Sequence, residues 1–158
     1  MKQLRVLIHI IAPALMLASC GGGEQAAQDD NPEPPVAAGS DLTPFQTEHG
    51  IGPITEPVSL EAPDEELAEQ GEALFQLKCS ACHRLDERYI GPPLGGVLDR
   101  RTPAYVMNMM LNPTEMTQKH PEAKALLAEY LAPMPSQDLT REEARALLEY
   151  LRLADASD

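Results

Sequence analysis

Hydrophobic and polar positions follow three different patterns along this 158-residue chain. From Val6 to Leu17 nearly every residue is apolar, interrupted by His9 and Pro13 and preceded by Lys2 and Arg5. That run is too short to cross a bilayer comfortably. From Gly21 to Pro63 neither a helical nor a strand period is present, and Gly, Pro, Ala, Gln and acidic residues dominate. Such a stretch buries too little apolar surface to order itself and reads as a flexible tether over 20–63, with an r.m.s. span of about 35–40 Å. One part departs from this. Phe45 and then Glu48-His49-Gly50-Ile51-Gly52-Pro53-Ile54 interleave apolar residues with Gly and Pro, which predicts a loop over 45–60 ordered against the domain that follows.

Beyond Asp64 the period turns helical. Asp64 can cap a helix whose first turn holds Glu65 and Glu66, the sign the helix dipole favours there. Leu67, Gly71, Leu74 and Phe75 form its buried stripe. Thr102-Pro103 opens a second helix, with Pro at the first helical position, running to about Leu111. His120-Pro121 opens a third, with Ala123, Leu126, Leu127, Tyr130 and Leu131 on one side. Thr140 and Glu143 form a capping box for the last, striped by Ala144, Leu147, Leu148 and Leu151. No strand pattern and no repeat occur, so the expectation is an all-α domain over 64–158.

Composition changes that picture in two ways. Aromatic residues make up 4% of the chain and Trp is absent, a thin core for a small domain unless a non-protein group supplies apolar bulk. The charge is also lopsided: 12 Lys and Arg against 25 Asp and Glu give a net of -13, and losing Lys2 and Arg5 with a leader takes it to -15. Such a field repels nucleic acid and anionic headgroups and favours partners with basic docking faces.

The positive start, the apolar run and the small residues Ala18-Ser19 outline a secretory signal over 1–19. Leu17-Ala18-Ser19-Cys20 resembles the lipobox of bacterial lipoproteins. The resemblance implies that Cys20 becomes the mature N-terminus and carries lipid, a stable anchor for a chain facing the periplasm. Gly21 stands where an inner-membrane retention signal would put Asp, which favours the outer membrane.

The two remaining cysteines lie in Cys79-Ser80-Ala81-Cys82-His83, the C-x-x-C-H pattern of c-type haem attachment. Two thiols three residues apart reach the two vinyl groups of haem, and the adjacent His lies under the iron. A structural zinc site would need a second ligand pair, and no Cys remains to supply it. A thioredoxin-type pair would need a βαβ setting, and a plain disulfide would leave His83 without a role.

Here the sequence resembles class I monohaem cytochromes c, over about 64–153. Gly71, eight residues before Cys79, matches the Gly that lets the first and last helices of that family cross closely; Phe75, Leu147 and Tyr150 match its aromatic and aliphatic partners. Gly91-Pro92-Pro93-Leu94 matches the loop in which a Pro carbonyl, here that of Pro92, accepts the proximal His ring N–H. The resemblance implies one covalent haem c held by Cys79, Cys82 and His83. It also implies an axial Met in a Pro-bearing loop before the last helix, which is Met134 in Ala132-Pro133-Met134-Pro135. Met107, Met109, Met110, Met116, His49 and His120 are the other candidates, Met116 first among them. Arg100, Arg101 and Tyr105 lie where the family often places haem-propionate partners.

Stretches around Glu48 to Pro53, Asn108 to Pro113 and Glu142 to Arg152 are similar to the small cytochromes c that accompany nitrous oxide reductase. The function implied is a membrane-tethered, monomeric electron carrier, not an enzyme, working between a quinol-oxidising donor and a terminal reductase or oxidase. A cytochrome subunit of a dehydrogenase, or a haem sensor if the sixth position is open, are the alternatives.

Overall fold

A computed structural model describes residues 41–155. The expected signal over 1–19, the expected lipidation site Cys20 and the first half of the expected tether lie outside these residues. Among the described residues the structure is entirely helical and has no strand, in line with the all-α expectation. No described helix is long and apolar enough to cross a membrane.

Seven helices follow in order: α1 Pro44–His49, α2 Glu65–Leu74, α3 Val97–Arg100, α4 Pro103–Leu111, α5 Pro113–Lys119, α6 Pro121–Tyr130 and α7 Arg141–Asp155. Their starts follow from local chemistry. The Asp64 side chain accepts from Leu67 N, 3.0 Å. Thr102 caps α4 through Tyr105 N, 3.2 Å, and Thr140 and Glu143 form the reciprocal box at α7. Pro occupies the first turn of α1, α4, α5 and α6, where its missing N–H costs nothing.

The frame is the crossing of α2 and α7. At Gly71 an added Cβ would collide with the carbonyl oxygen of Ala146 and lie 2.9 Å from the Tyr150 Cβ, so only glycine allows the two backbones this close. Phe75 packs on Tyr150 with ring centroids 5.3 Å apart, and Ala144, Leu147, Leu148 and Leu151 are all buried. After Leu74 the helix widens into a π-turn over Phe75–Cys79, closed by Ser80 N donating to Phe75 O at 2.9 Å. That turn delivers Cys79 to the site.

The segment before Asp64 is far from bare tether. It forms a strap that locks onto α4 and α5, starting with α1, a helix the period analysis did not predict. Ile51 and Ile54 are buried. Asn108, itself fully buried, donates from Nδ2 to the carbonyls of His49 and Ile54, both 3.0 Å, and accepts from Ile54 N at 2.9 Å. Asn112 Nδ2 donates to Ile51 O, 3.3 Å. An added Cβ on Gly52 would strike the Asn108 amide, so the strap lies flat on α4. The packed unit therefore begins some twenty residues ahead of Asp64.

Candidate functional site

The other face of α4 looks into a cleft enclosing about 1460 Å³ of space between atoms, part of it open to solvent. Its walls are mostly apolar and come chiefly from Phe75 and Cys79, the loop of residues 82–94, α4, α6, the segment 132–135 and α7.

The haem-attachment motif forms one wall. Cys82 N and His83 N both donate to Cys79 O, at 3.0 and 2.9 Å, so the three side chains are presented from one tight turn. Cys79 and Cys82 are both free thiols lining the cleft. Burial pushes the Cys79 thiol up, against the pull of Lys78; such a thiol is a poor redox nucleophile. His83 Nδ1 lies 2.9 Å from Pro92 O. The carbonyl can only accept, so the proton sits on Nδ1 and the Nε2 lone pair is left for a metal.

Two backbone links hold that loop against the motif: Gly91 N to Cys82 O at 2.8 Å and Leu94 N to Arg84 O at 2.9 Å. A Cβ on Gly91 would sit 2.5 Å from His83 Cε1, so Gly91 is the back wall of the imidazole. Sequence reading gave the loop's role to Pro92 alone; the Gly next to it was the available signal.

The candidate sixth ligands separate by position. Met116 is 0% exposed, its sulfur accepts from Ile51 N at 3.0 Å, and it does not line the cleft. His49 Nδ1 meets Thr102 Oγ1 at 2.9 Å, and His120 Nε2 donates to Thr47 O at 3.1 Å; neither ring lines the cleft. His120 occupies the N-cap position of α6 without a side-chain cap bond. Met107 faces Ile54 and Val58 on the other side of α4. Met109, Met110 and Met134 line the cleft, and Met134 is the one on a helix-free segment.

Polar groups in the walls are few. Lys78, Arg100 and Arg101 line the cleft and no Asp or Glu does. The Tyr105 hydroxyl is buried, lines the cleft and has no hydrogen-bond partner among the described residues. Burial raises its pKa, partly offset by Arg101, whose guanidinium lies 5.3 Å from the ring centroid. A buried tyrosine beside Arg101, with Lys78 and Arg100 also in the walls of a mostly apolar cleft, suits a large apolar group bearing carboxylates. Haem c has that chemistry. Among the described residues no cluster of three or more His, Cys, Asp or Glu offers a metal-ion site, which leaves the zinc alternative without support.

Comparison with known proteins agrees. The sequence profile of the cytochrome c family matches residues 68–154. A cytochrome c-553-like protein from Synechocystis is 33% identical over 69 residues, covering 40% of this chain and 66% of that protein, just under two thirds of its length. A cytochrome c from Rhodothermus marinus is 48% identical and superposes with a TM-score of 0.69, covering 73% of this chain and all of that one. An engineered form of the Rhodothermus protein bound to a carbene intermediate is 49% identical, with a TM-score of 0.65 over 72% of this chain and 99% of its own.

Proposed function

The chain belongs to the cytochrome c family of electron carriers with one covalently bound haem c, and we propose that it passes single electrons from a quinol-oxidising donor to a terminal reductase or oxidase, with nitrous oxide reductase as the favoured acceptor. The observation that carries this reading is the convergence of Cys79, Cys82, His83 and Met134 on one apolar cleft. When bound, haem c supplies a one-electron Fe(III)/Fe(II) couple. The protein's part is attachment, ligation and exclusion of water.

Cys79 and Cys82 would hold the haem by thioethers, and His83 Nε2 would ligate the iron. The Pro92 carbonyl fixes the imidazole's orientation and raises its donor strength through the Nδ1–H bond. Met134 is our choice for the sixth ligand, because a thioether there raises the reduction potential relative to bis-His and suits a late carrier. Arg101 and Tyr105 would hold the propionates. We assign the anchor to a lipidated Cys20, the compartment to the periplasm with the outer membrane preferred, and the solution state to a monomer. At long range the acidic excess favours basic partner surfaces.

Stopped-flow mixing of the ferrous holoprotein with purified nitrous oxide reductase tests the acceptor. A fast bimolecular oxidation that leaves the cytochrome intact is expected. Oxidation no faster than by a non-cognate copper protein would remove that acceptor. Carbon monoxide tests the sixth position: rapid binding by the native ferrous protein would mean an open iron and favour the sensor alternative.

A further inference from the structure

Met134 stands in a segment with little means of holding itself in place. Residues 131–140 have no helical structure, and Pro133 and Pro135, on either side of Met134, carry no N–H to donate. The segment's own side-chain bonds all lie beyond Met134. Gln137 Nε2 donates to Pro135 O at 3.2 Å, Asp138 N to Ser136 Oγ at 3.3 Å, and Ser136 Oγ to Asp138 Oδ1 at 3.1 Å. Asp138 itself is in the left-handed region, φ 49, so the backbone turns sharply there.

A donor from another part of the fold meets this turn. Lys78 Nζ donates to Gln137 O at 2.9 Å, across 59 positions of sequence. The bonds within the turn stay between residues 135 and 138, so Lys78 is what links it to the π-turn. Both Lys78 and Gln137 line the cleft.

Lys78 is unusual for a lysine in so acidic a chain. It is half-buried, and among the described residues no carboxylate pairs with it. A charged donor on a carbonyl, partly shielded from water, makes one of the stronger hydrogen bonds. Its place in the chain gives that bond a use. Lys78 directly precedes Cys79, and Gln137 is three residues beyond Met134, so one contact connects the attachment side of the cleft to the segment facing it.

We propose that Lys78 is the positioning residue for Met134: its ammonium, bonded to Gln137 O, holds the Met134 segment in the ligating place. This rests on the reading of Met134 as the sixth ligand. Local opening of a segment with few bonds of its own costs little free energy, so the strength of one added bond decides how often it opens. Without Lys78 the thioether leaves the iron more often, while attachment through Cys79, Cys82 and His83 is untouched.

Imidazole binding to the ferric holoprotein supplies the test. Above its own pKa imidazole is uncharged, so loss of the Lys78 charge does not alter its approach, and at saturation the rate reports how often the segment opens. Lys78→Leu should raise that limiting rate at least about tenfold, and Lys78→Arg, which keeps a charged donor, should restore it. Asn108→Ala, which loosens the strap instead, should leave it near the native value. An unchanged rate in Lys78→Leu, or an equal rise in Asn108→Ala, overturns the positioning role. Acetylation of the native holoprotein needs no variant to mature: Lys78 should react more slowly than the exposed Lys124, and equal rates overturn the bond. Met134→Ala checks the reading beneath: if the far-red band of a thioether on ferric iron survives in that variant, Met134 is not the ligand and the proposal falls with it.

Discussion

Glu149 is a carboxylate side chain that is 0% exposed. Two arginines on its own helix make that tolerable: Arg145 at 2.6 Å, one turn before, and Arg152 at 2.5 Å, three residues after. Arg152 also donates to Glu61 O at 2.6 Å, and Glu149 lies 3.4 Å from Asp64 N. One buried carboxylate thus ties α7 to the start of α2 and to the end of the strap. Removing one member of such a group leaves the others uncompensated, so Glu149→Ala should cost about 3–5 kcal/mol in urea unfolding. Tyr105 makes a different prediction. Its folded pKa is raised above the ordinary 10.0, so the stability linked to the protonated phenol is fully present below about pH 10 and is lost as pH rises through the folded value. Thermal melts above pH 10 should show the native protein losing stability faster than Tyr105→Phe. Tyr150, also raised by burial, adds to the same slope in both.

At the scale of elements, Asn108 makes three hydrogen bonds to the backbone of the strap. Asn108→Ala would leave Ile54 N, Ile54 O and His49 O without their partner in a buried place, at a cost of about 2–4 kcal/mol for the group. Limited proteolysis should then cut within residues 50–63 while α2 and α7 stay protected; an uncut strap would show that Ile51 and Ile54 hold it unaided. The strap also marks where sequence reading stopped. The four helices with clear caps and stripes were legible from residue 64 onward, as was the crossing at Gly71. Thr43-Pro44-Phe45-Gln46 carries a capping box, observed at 3.2 and 3.0 Å, but it opens only six helical residues inside a tether-like composition. Asn108 sits in an apolar run whose period says nothing about a polar side chain bonding to another segment's backbone. At the site, the attachment motif was visible because it is local, and the Pro92 bond because its loop resembles that of class I cytochromes c. The distribution of seven candidate axial ligands between cleft and core depends on tertiary placement, which spacing does not encode.

At the scale of the whole molecule, the proposed attachment to the membrane rests on one residue outside the described part. With the proposed leader removed the net charge is -15, which gives no electrostatic attraction to anionic lipid. Cys20→Ser should therefore move it from the membrane fraction to the soluble periplasmic extract, with absorbance and potential unchanged. A variant that stays in membranes in the absence of partner complexes would mean that the run from Val6 to Leu17 is retained as the anchor.

The π-turn at Phe75–Cys79 has a consequence for which mutations the gene can bear. The turn spends five residues where an α-helix would advance with fewer, and Gln76 and Leu77 within it are exposed. Almost any substitution at those two positions leaves the frame untouched. Deleting either one lets the ladder close as ordinary α-helix, with no hydrogen bond lost. Because the wide turn already absorbs one extra residue, Gly71 and Phe75 would keep their places against α7 and Cys79 would keep nearly its own orientation toward the cleft. The turn therefore holds a residue of slack in its length, and single-codon deletions at Gln76 or Leu77 should leave covalent haem retention after denaturing electrophoresis close to the native level.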